Sequence, residues 1–324
     1  MIKPRYLYPN DYMADPSAHV FEGKLYIYPS HDWDSKVPEN DNGDHFNMKD
    51  YQVFSMESID GPIKNHGKIL DLKDIPWAEK QLWDSDVCFK DNKYFLFFSV
   101  KDKKGFFRIG VATSDYPYGP FSVQIKPIPE SYSIDPCLFK DGNDYYMYFG
   151  GLWGGQLEKY RNNLYSENNK LPKENAPALC PKIARMSDNM LEFAESPRDV
   201  LIIDEERNTI TQGDVHRRFF EASWMHKFNG TYYFSYSTGD THKICYAISD
   251  NPYGPFIYQG VILTPVIGWT THHSIVEFKE KWYLFYHDCF PSNGKSWLRS
   301  MKVVELIYDK DGKIKTIQGS SEDE

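Results

Sequence analysis

The sequence predicts an all-β protein, a five-bladed β-propeller that forms a single domain over residues 1–318, with a short disordered tail at 319–324. Three observations indicate this fold: one aromatic strand motif occurs five times, strand patterns precede and follow each copy, and no long helical period separates the copies. A β-sandwich or a solenoid is the alternative for aromatic-rich hairpins. Because five copies are present, we favour radial repetition, in which each copy forms one blade.

Each copy begins as a predicted β-hairpin, in which an apolar strand and an aromatic strand flank a short turn rich in Gly, Asn, Asp and Lys. A third strand is predicted after each hairpin. The polar, proline-containing stretch at 154–181 predicts a long loop in the third copy. The aromatic strands are predicted at 24–28, 93–97, 144–148, 231–235 and 281–285, and the third strands at 51–58, 108–114, 182–187, 243–249 and 298–305.

Composition narrows the range of partners and compartments. The formal net charge of −9 argues against binding to nucleic acid or to an anionic membrane, and no apolar run reaches the length of a membrane span. The five cysteines form no metal-ligand or disulfide spacing, and no leader peptide is recognisable at the N-terminus. We therefore expect a cytoplasmic protein, or a periplasmic or secreted one if a leader was removed. A homo-oligomer is compatible with the sequence, which holds no feature that tests it.

Superposing the five copies places acidic residues at equivalent positions. Asp15, Asp84, Asp135 and His272 lie nine residues before their aromatic strands, and Glu221 lies ten before its own. The innermost strands of a propeller line its central channel, so these side chains should face one another across the channel mouth. Crowded carboxylates raise the pKa of at least one of them. Glycoside hydrolysis needs this arrangement, because one acid must be protonated while a base is ionised.

The local sequence indicates individual catalytic residues. Asp15 and Asp135 each precede a proline, a pattern that on its own is typical of a turn before a strand. Their identical register favours a functional role instead. Glu221 follows two phenylalanines and precedes a tryptophan by three positions, and such neighbours would desolvate it and raise its pKa, as suits a general acid.

The remaining candidates surround this ring. Aromatic side chains near it could stack on sugar rings, although core packing between blades is the alternative for each of them. Arg299 could bond sugar hydroxyls or a carboxylate, or could be a surface cation. His272 could help to hold a hydrated calcium ion, or could be a structural histidine, and nothing indicates an organic cofactor. The aromatic candidates are Phe46, Trp83, Trp153 and Trp269.

These motifs resemble glycoside hydrolase family 43 from Tyr12 to about Ile314. The resemblance rests on Asp-Pro-Ser at 15–17, Ile-Asp-Pro at 134–136 and Glu221, although the family's Glu-Gly-Pro is Glu-Ala-Ser here and its Trp-Ala-Pro-Asp is Trp-Asp-Ser-Asp at 83–86. The resemblance implies that Asp15 is the general base, Glu221 the general acid, and Asp135 the residue that orients Glu221 and adjusts its pKa. It also implies a channel histidine associated with calcium at His272 and a substrate-contacting arginine at Arg299.

Three further phrases, at 28–32, 149–155 and 236–242, resemble the β-xylosidase and α-L-arabinofuranosidase branch of the family. The resemblance implies an inverting, exo-acting enzyme that releases xylose from β-1,4-xylo-oligosaccharides, with arabinofuranosidase side activity on arabinose-decorated oligosaccharides. Three alternatives stay open. They are an endo-arabinanase with an open groove, a non-catalytic carbohydrate-binding propeller, and a retaining enzyme of the invertase type, whose carboxyl groups would stand roughly 5 Å apart instead of 6.5 to 9.5 Å.

Overall fold

The five sequence repeats form five antiparallel sheets around one axis, in a computed structural model that describes residues 3–319. The inner strand of each sheet contacts the inner strands of the two neighbouring sheets, so that the five close into a ring. The predicted five-bladed β-propeller is therefore confirmed. Apart from Gly319, the predicted disordered tail lies outside the described residues.

The chain first contributes β1 (Arg5–Tyr6) and then builds the blades in order around the axis. Blade I consists of β2 (Met13–Phe21), β3 (Lys24–His31), β4 (Asp50–Met56) and β5 (Lys64–Asp71). Blade II consists of β6 (Ala78–Lys80), β7 (Ser85–Lys90), β8 (Lys93–Asp102), β9 (Phe107–Ser114) and β10 (Ser122–Val123), with β7 innermost.

Blade III begins with β11 (Cys137–Asp141) and β12 (Asp144–Phe149). The predicted long loop follows, and it carries a small hairpin, β13 (Tyr160–Arg161) and β14 (Leu164–Tyr165). The blade is completed by β15 (Lys182–Arg185) and β16 (Arg198–Asp199). Blade IV consists of β17 (Ile202–Ile203), β18 (Glu221–Phe228), β19 (Thr231–Ser237), β20 (Ile244–Ser249) and β21 (Phe256–Leu263).

Blade V joins two distant parts of the chain. Its strands β22 (His273–Phe278), β23 (Lys281–Asp288) and β24 (Ser300–Leu306) are followed on the outer edge by β1, which pairs with β24. The chain passes from β1 directly into blade I, so the pairing of β1 with β24 ties blade I to blade V. These two blades are also neighbours at the axis, and the pairing therefore closes the ring. Helical structure in residues 3–319 is limited to short 3-10 turns, and none of them could cross a membrane. These turns are Leu72–Asp74, Trp153–Gly155, Leu157–Lys159 and Phe290–Ser292.

The inner hairpins share one type of turn, which explains why similar turn residues recur between the paired strands of the repeats. In four of the five inner hairpins, both central turn residues have positive φ, which is the geometry of a type I′ turn that matches the twist of the strands. The core lies between the blades: Tyr28, Val53, Leu96 and Phe98 fill the space between blades I and II, and Ile27, Phe54, Phe285 and Val303 that between blades V and I. The four turns are at residues 22–23, 91–92, 229–230 and 279–280.

Candidate active site

A pocket opens at one end of the propeller axis, with a cavity volume of about 230 Å³. All five blades contribute to its lining. The five residues that the repeat register placed in one ring all line this pocket, as do Arg299 and the four predicted aromatic side chains. The ring comprises Asp15, Asp84, Asp135, Glu221 and His272.

Local backbone distortions aim the acidic side chains into the pocket. Asp15 has a φ of 47°, and the pairing of β2 with β3 skips residues between Ala14 and Ser17. The pairing of β18 with β19 skips in the same way between Glu221 and Trp224. A β-bulge of this kind redirects a side chain that a regular strand would point elsewhere. Blades I and IV therefore use the same device to present an acid at the channel mouth.

Asp15 is held as an ionised carboxylate. Its Oδ1 accepts a hydrogen bond from Nη1 of Arg299 at 2.8 Å, and its backbone N–H donates to Nδ1 of His287 at 3.1 Å. Burial raises the pKa of Asp15, but the positive charge of Arg299, together with His287, His272 and a hydrogen bond with Ser30, outweighs burial and lowers the pKa below the ordinary value. A buried carboxylate that stays ionised is suited to accept a proton from water.

Arg299 is buried, with 3% of its surface exposed, so the interpretation of this residue as a surface cation is wrong. It precedes β24 instead of lying within the predicted third strand. Asp32 accepts hydrogen bonds from its Nε, its Nη2 and its backbone N–H, each at 2.8 Å. Nη1 is also within 3.3 Å of Oγ1 of Thr270. Acceptors on the protein thus occupy most of the N–H groups of the guanidinium. The guanidinium contacts the carboxylate of Asp15 directly. Its contact with sugar stays a prediction.

Asp135 links the other acids. Its Oδ2 accepts the backbone N–H of Ala222 at 2.6 Å, which fixes the residue next to Glu221, and its own N–H donates to Oδ1 of Asp84 at 3.2 Å. Burial, followed by repulsion from Asp84 and Glu221, raises the pKa of Asp135 well above the ordinary value. Burial also raises the pKa of Asp84, to about 7. Both carboxyl groups are therefore harder to ionise than an exposed aspartate, and a nearby cation would favour loss of their protons.

Glu221 has the opposite ionisation to Asp15. Burial and, after it, the negative charge of Asp15 raise its pKa against the opposing charge of Arg299, with a net result of about 8. At neutral pH, Glu221 is therefore protonated while Asp15 is ionised. One pocket thus contains a proton donor and a proton acceptor, which is how two carboxyl groups divide acid and base roles.

His272 lies among the carboxylates without a hydrogen bond on either ring nitrogen within the described part of the chain. Its Nε2 is 3.8 Å from Oδ1 of Asp135, and ligand atoms of Asp84, Asp135 and His272 all lie within 4.8 Å of one another. Burial lowers the pKa of His272, which leaves the ring neutral and able to donate a lone pair. Two carboxyl groups and an unpartnered imidazole fit a divalent cation.

The predicted aromatic residues form two groups of rings that line the pocket. Phe46 and Trp83 pack edge to face with ring centroids 6.1 Å apart. In the other group, Trp153 lies 5.9 Å from Trp269 and 5.3 Å from Phe220. The position of these rings at the pocket is established, and their stacking on sugar remains a prediction. Phe46 and Trp83 are also largely buried, so both serve the core as well.

Sequence reasoning missed the residues that hold Asp15. Nδ1 of His287 accepts a hydrogen bond from the backbone N–H of Asp15. Nε2 of the same ring lies 3.0 Å from the carbonyl oxygen of Thr270. Asp32 holds Arg299 across 267 residues of chain. Neither His287 nor Asp32 occupies the repeat register of the acids. For Asp32, the only signal was the resemblance of the phrase at 28–32, to which no role was assigned, and nothing in the sequence indicated His287.

A propeller whose axial pocket combines an ionised carboxylate, a protonated carboxyl group and aromatic walls defines a hydrolase of glycosidic bonds. The sequence model of glycosyl hydrolases family 43 matches residues 9–314 of this chain. The chain therefore belongs to glycosyl hydrolase family 43.

Relatives within the family match along their whole length. A xylosidase/arabinosidase of Bacteroides ovatus is 65% identical over 320 residues, which cover 98% of each chain. The solved structure of the RS223 β-xylosidase has a TM-score of 0.98 and 65% identity, covering 99% of this chain and 100% of its own. A β-xylosidase/α-arabinofuranosidase from a compost microbial metagenome, solved with xylotriose in a calcium-free form, has a TM-score of 0.96 and 59% identity, covering 99% and 100%.

Proposed function

We propose that this enzyme is an inverting, exo-acting β-xylosidase that releases xylose from the ends of β-1,4-xylo-oligosaccharides. The observation that carries the hydrolytic part of the proposal, with one acid and one base, is the opposite ionisation of Asp15 and Glu221 within one pocket. The similarity to enzymes described as β-xylosidases supports the choice of substrate.

In the proposed reaction, the carboxyl group of Glu221 donates its proton to the glycosidic oxygen, and the bond from this oxygen to the anomeric carbon breaks. Asp15 accepts a proton from a water molecule whose oxygen attacks the anomeric carbon from the opposite face. Asp135 positions Glu221 through the N–H of Ala222. Each turnover leaves the released sugar with the inverted configuration, and proton exchange with solvent restores both carboxyl groups.

We also propose α-L-arabinofuranosidase activity in the same pocket, on arabinose-decorated oligosaccharides. Support comes from the relative of Bacteroides ovatus, which is described as a xylosidase/arabinosidase. Xylopyranosides and arabinofuranosides present similar hydroxyl geometry to a small pocket.

The decisive experiment is hydrolysis of xylobiose, an aryl β-xyloside and an aryl α-L-arabinofuranoside, with the product anomers followed by proton NMR before mutarotation. Release of α-xylose from the β-linked substrates supports inversion and both carboxyl roles. Release of β-xylose contradicts the roles of Asp15 and Glu221. Absence of turnover with sugar binding retained would favour a carbohydrate-binding propeller.

We propose that Asp84, Asp135 and His272 hold a calcium ion together with water. Support comes from the unpartnered ring of His272 and from a relative described as a calcium-free form. When bound, the cation would supply positive charge that keeps the two carboxyl groups ionised. Calorimetric titration of the metal-stripped protein with calcium tests this proposal, with His272→Ala as the comparison. Equal calcium affinity in both proteins would contradict it.

We further propose a cytoplasmic location and a homo-oligomeric state. The five cysteines are free, and four of them are buried, which supports a reducing compartment. Cell fractionation tests the location, and light scattering of the purified protein tests the oligomeric state.

A further inference from the structure

Thr270 connects the two residues that hold Asp15. It lies in the loop between β21 and β22, and it lines the pocket. Its Oγ1 is 3.3 Å from Nη1 of Arg299 and 3.2 Å from Nε2 of His287. Arg299 donates to the carboxylate of Asp15, and His287 accepts its backbone N–H. Thr270 is therefore tied to the base by two separate routes.

The chemistry of the two partners fixes the direction of each hydrogen bond at Thr270. The guanidinium of Arg299 can only donate. Nδ1 of His287 must carry a lone pair, because it accepts an amide N–H, so the ring proton is on Nε2. The Nε2–H is shared between Oγ1 of Thr270 and the carbonyl oxygen of the same residue, which is 3.0 Å away. The hydroxyl oxygen of Thr270 therefore accepts two hydrogen bonds, and both of its lone pairs are occupied.

A hydroxyl group whose lone pairs are both occupied still has one hydrogen to donate. For the hydrogen of Thr270, residues 3–319 provide no acceptor. Because Thr270 lines the pocket, this hydrogen is available to a molecule that binds there. The arrangement of the protein thus makes Thr270 a donor, and its partner in the pocket must present an acceptor oxygen.

The location of this donor, beside the base, favours the attacking water as its partner. Oγ1 of Thr270 and Oδ1 of Asp15 accept hydrogen bonds from the same nitrogen of Arg299, at 3.3 and 2.8 Å. Two acceptors around one nitrogen are roughly 5 Å apart, which is the span of one water molecule that hydrogen-bonds to both. In the proposed reaction, the attacking water must contact Asp15 in order to give up its proton. The hydroxyl of Thr270 is therefore within reach of that water.

We propose that Thr270 positions the attacking water by donating its hydroxyl hydrogen to the water oxygen. The inference rests on the proposed function and adds a residue to it. One lone pair of the water accepts from Thr270, and the other forms the bond to the anomeric carbon. One water proton passes to Asp15, and the bond to the leaving oxygen breaks as that oxygen takes the proton of Glu221. Thr270 keeps its own proton and serves to direct the attacking lone pair at the sugar.

The test replaces the hydroxyl of Thr270 in three ways. Thr270→Val removes it and keeps the shape of the side chain, Thr270→Ala removes it without adding bulk, and Thr270→Ser retains it. We expect kcat on xylobiose and on an aryl β-xyloside to fall about 10²-fold in the valine and alanine variants, since every substrate needs the water. The serine variant should stay close to the unmodified enzyme. Circular dichroism and thermal unfolding identify the variants that fold.

A second measurement separates contact with water from contact with sugar. The inhibitor 1,5-anhydroxylitol has the ring hydroxyls of xylose and no anomeric oxygen. It should inhibit Thr270→Val as strongly as the unmodified enzyme, because it makes no use of the attacking water. A loss of inhibitor affinity as large as the loss of kcat would assign the hydroxyl to sugar recognition and overturn the inference.

The dependence of kcat/KM on pH separates the proposed role from simple support of Arg299. Its decline at low pH reports the ionisation of Asp15 and should stay at the same pH in Thr270→Val, while the maximum falls. A decline that moves to higher pH would mean that Thr270 acts by holding the arginine beside Asp15, and it would overturn the inference.

The matched control is Thr271→Val, which removes a hydroxyl from the next residue in the chain. Thr271 is fully buried, accepts a hydrogen bond from Oγ of Ser237 at 3.4 Å and does not line the pocket. We expect this variant to keep its kcat, and an equal loss in the control would overturn the inference, because disturbance of the loop would then account for it. Release of α-xylose with kcat unchanged in the folded valine and alanine variants overturns the inference alone. Failure of the unmodified enzyme to hydrolyse any xyloside, or its release of β-xylose, overturns the proposed function and the inference with it.

Discussion

Glu221 should reduce the stability of the protein, and the amount can be worked out from its surroundings. Burial raises its pKa from 4.5 to about 8. Between these two pH values, the unfolded chain releases a proton that the folded protein retains, so stability falls as pH rises through this range and levels off above it. Since one pKa unit corresponds to 1.36 kcal/mol, the cost above pH 8 is roughly 5 kcal/mol.

Glu221→Gln removes this cost, because glutamine has the shape of the protonated acid and no charge to desolvate. We expect the variant to be more stable than the unmodified protein by roughly 5 kcal/mol at pH 8.5 and equally stable at pH 4. Urea unfolding at the two pH values measures both differences. The exposed Glu79→Gln serves as the control and should show no such pattern.

A stability difference between Glu221→Gln and the unmodified protein that does not change with pH would refute this reasoning. It would mean that the glutamate is already ionised in the folded protein, and the general acid would have to be sought elsewhere. The same variant should lose activity on xylobiose, whose leaving group needs a proton, and retain more activity on activated aryl xylosides. Equal losses on both substrates would contradict its role as the acid.

Three further predictions concern the base and the pH range. Asp15→Asn should lower kcat by about 10³-fold or more on every substrate, as measured with aryl xylosides, and substantial residual turnover would exclude Asp15 as the base. Asp32→Asn should destabilise the protein by about 3 kcal/mol in urea unfolding, because it leaves the buried Arg299 without its main partner, and unchanged stability would contradict that pairing. The value of kcat/KM should decline as pH rises through about 8, where Glu221 loses its proton. On the acid side it should decline only below 3.8, since the pKa of Asp15 is lowered. An alkaline decline that is already complete at pH 6 would contradict the role of Glu221 as the acid.

The sequence predicted the features that repeat. Each blade is one local hairpin with its own turn signal, so the five copies could be recognised and placed in register without long-range information. That register was sufficient to bring Asp15, Asp84, Asp135, Glu221 and His272 to one pocket, because equivalent positions in a propeller converge.

The features that do not repeat could not be predicted in the same way. The contact of Arg299 with Asp32 joins two single residues across the junction of blades V and I, and no periodicity relates them. The close packing of Gly43 and Gly154 on Trp83 is a steric fact that becomes visible only once two loops from different blades are placed side by side. Single-residue contacts between blades therefore need the structure.

The junction of blades V and I has a consequence for how activity can be lost. Asp15 belongs to blade I, and the arginine that keeps it ionised comes from blade V, next to the seam where β1 pairs with β24. Separation of blade I from blade V at the axis would part the base from its counter-charge while the strands within each blade stay paired. Catalytic activity then reports on the closed ring more sensitively than secondary structure does. Heating should inactivate the enzyme at a lower temperature than the one at which its strands unfold.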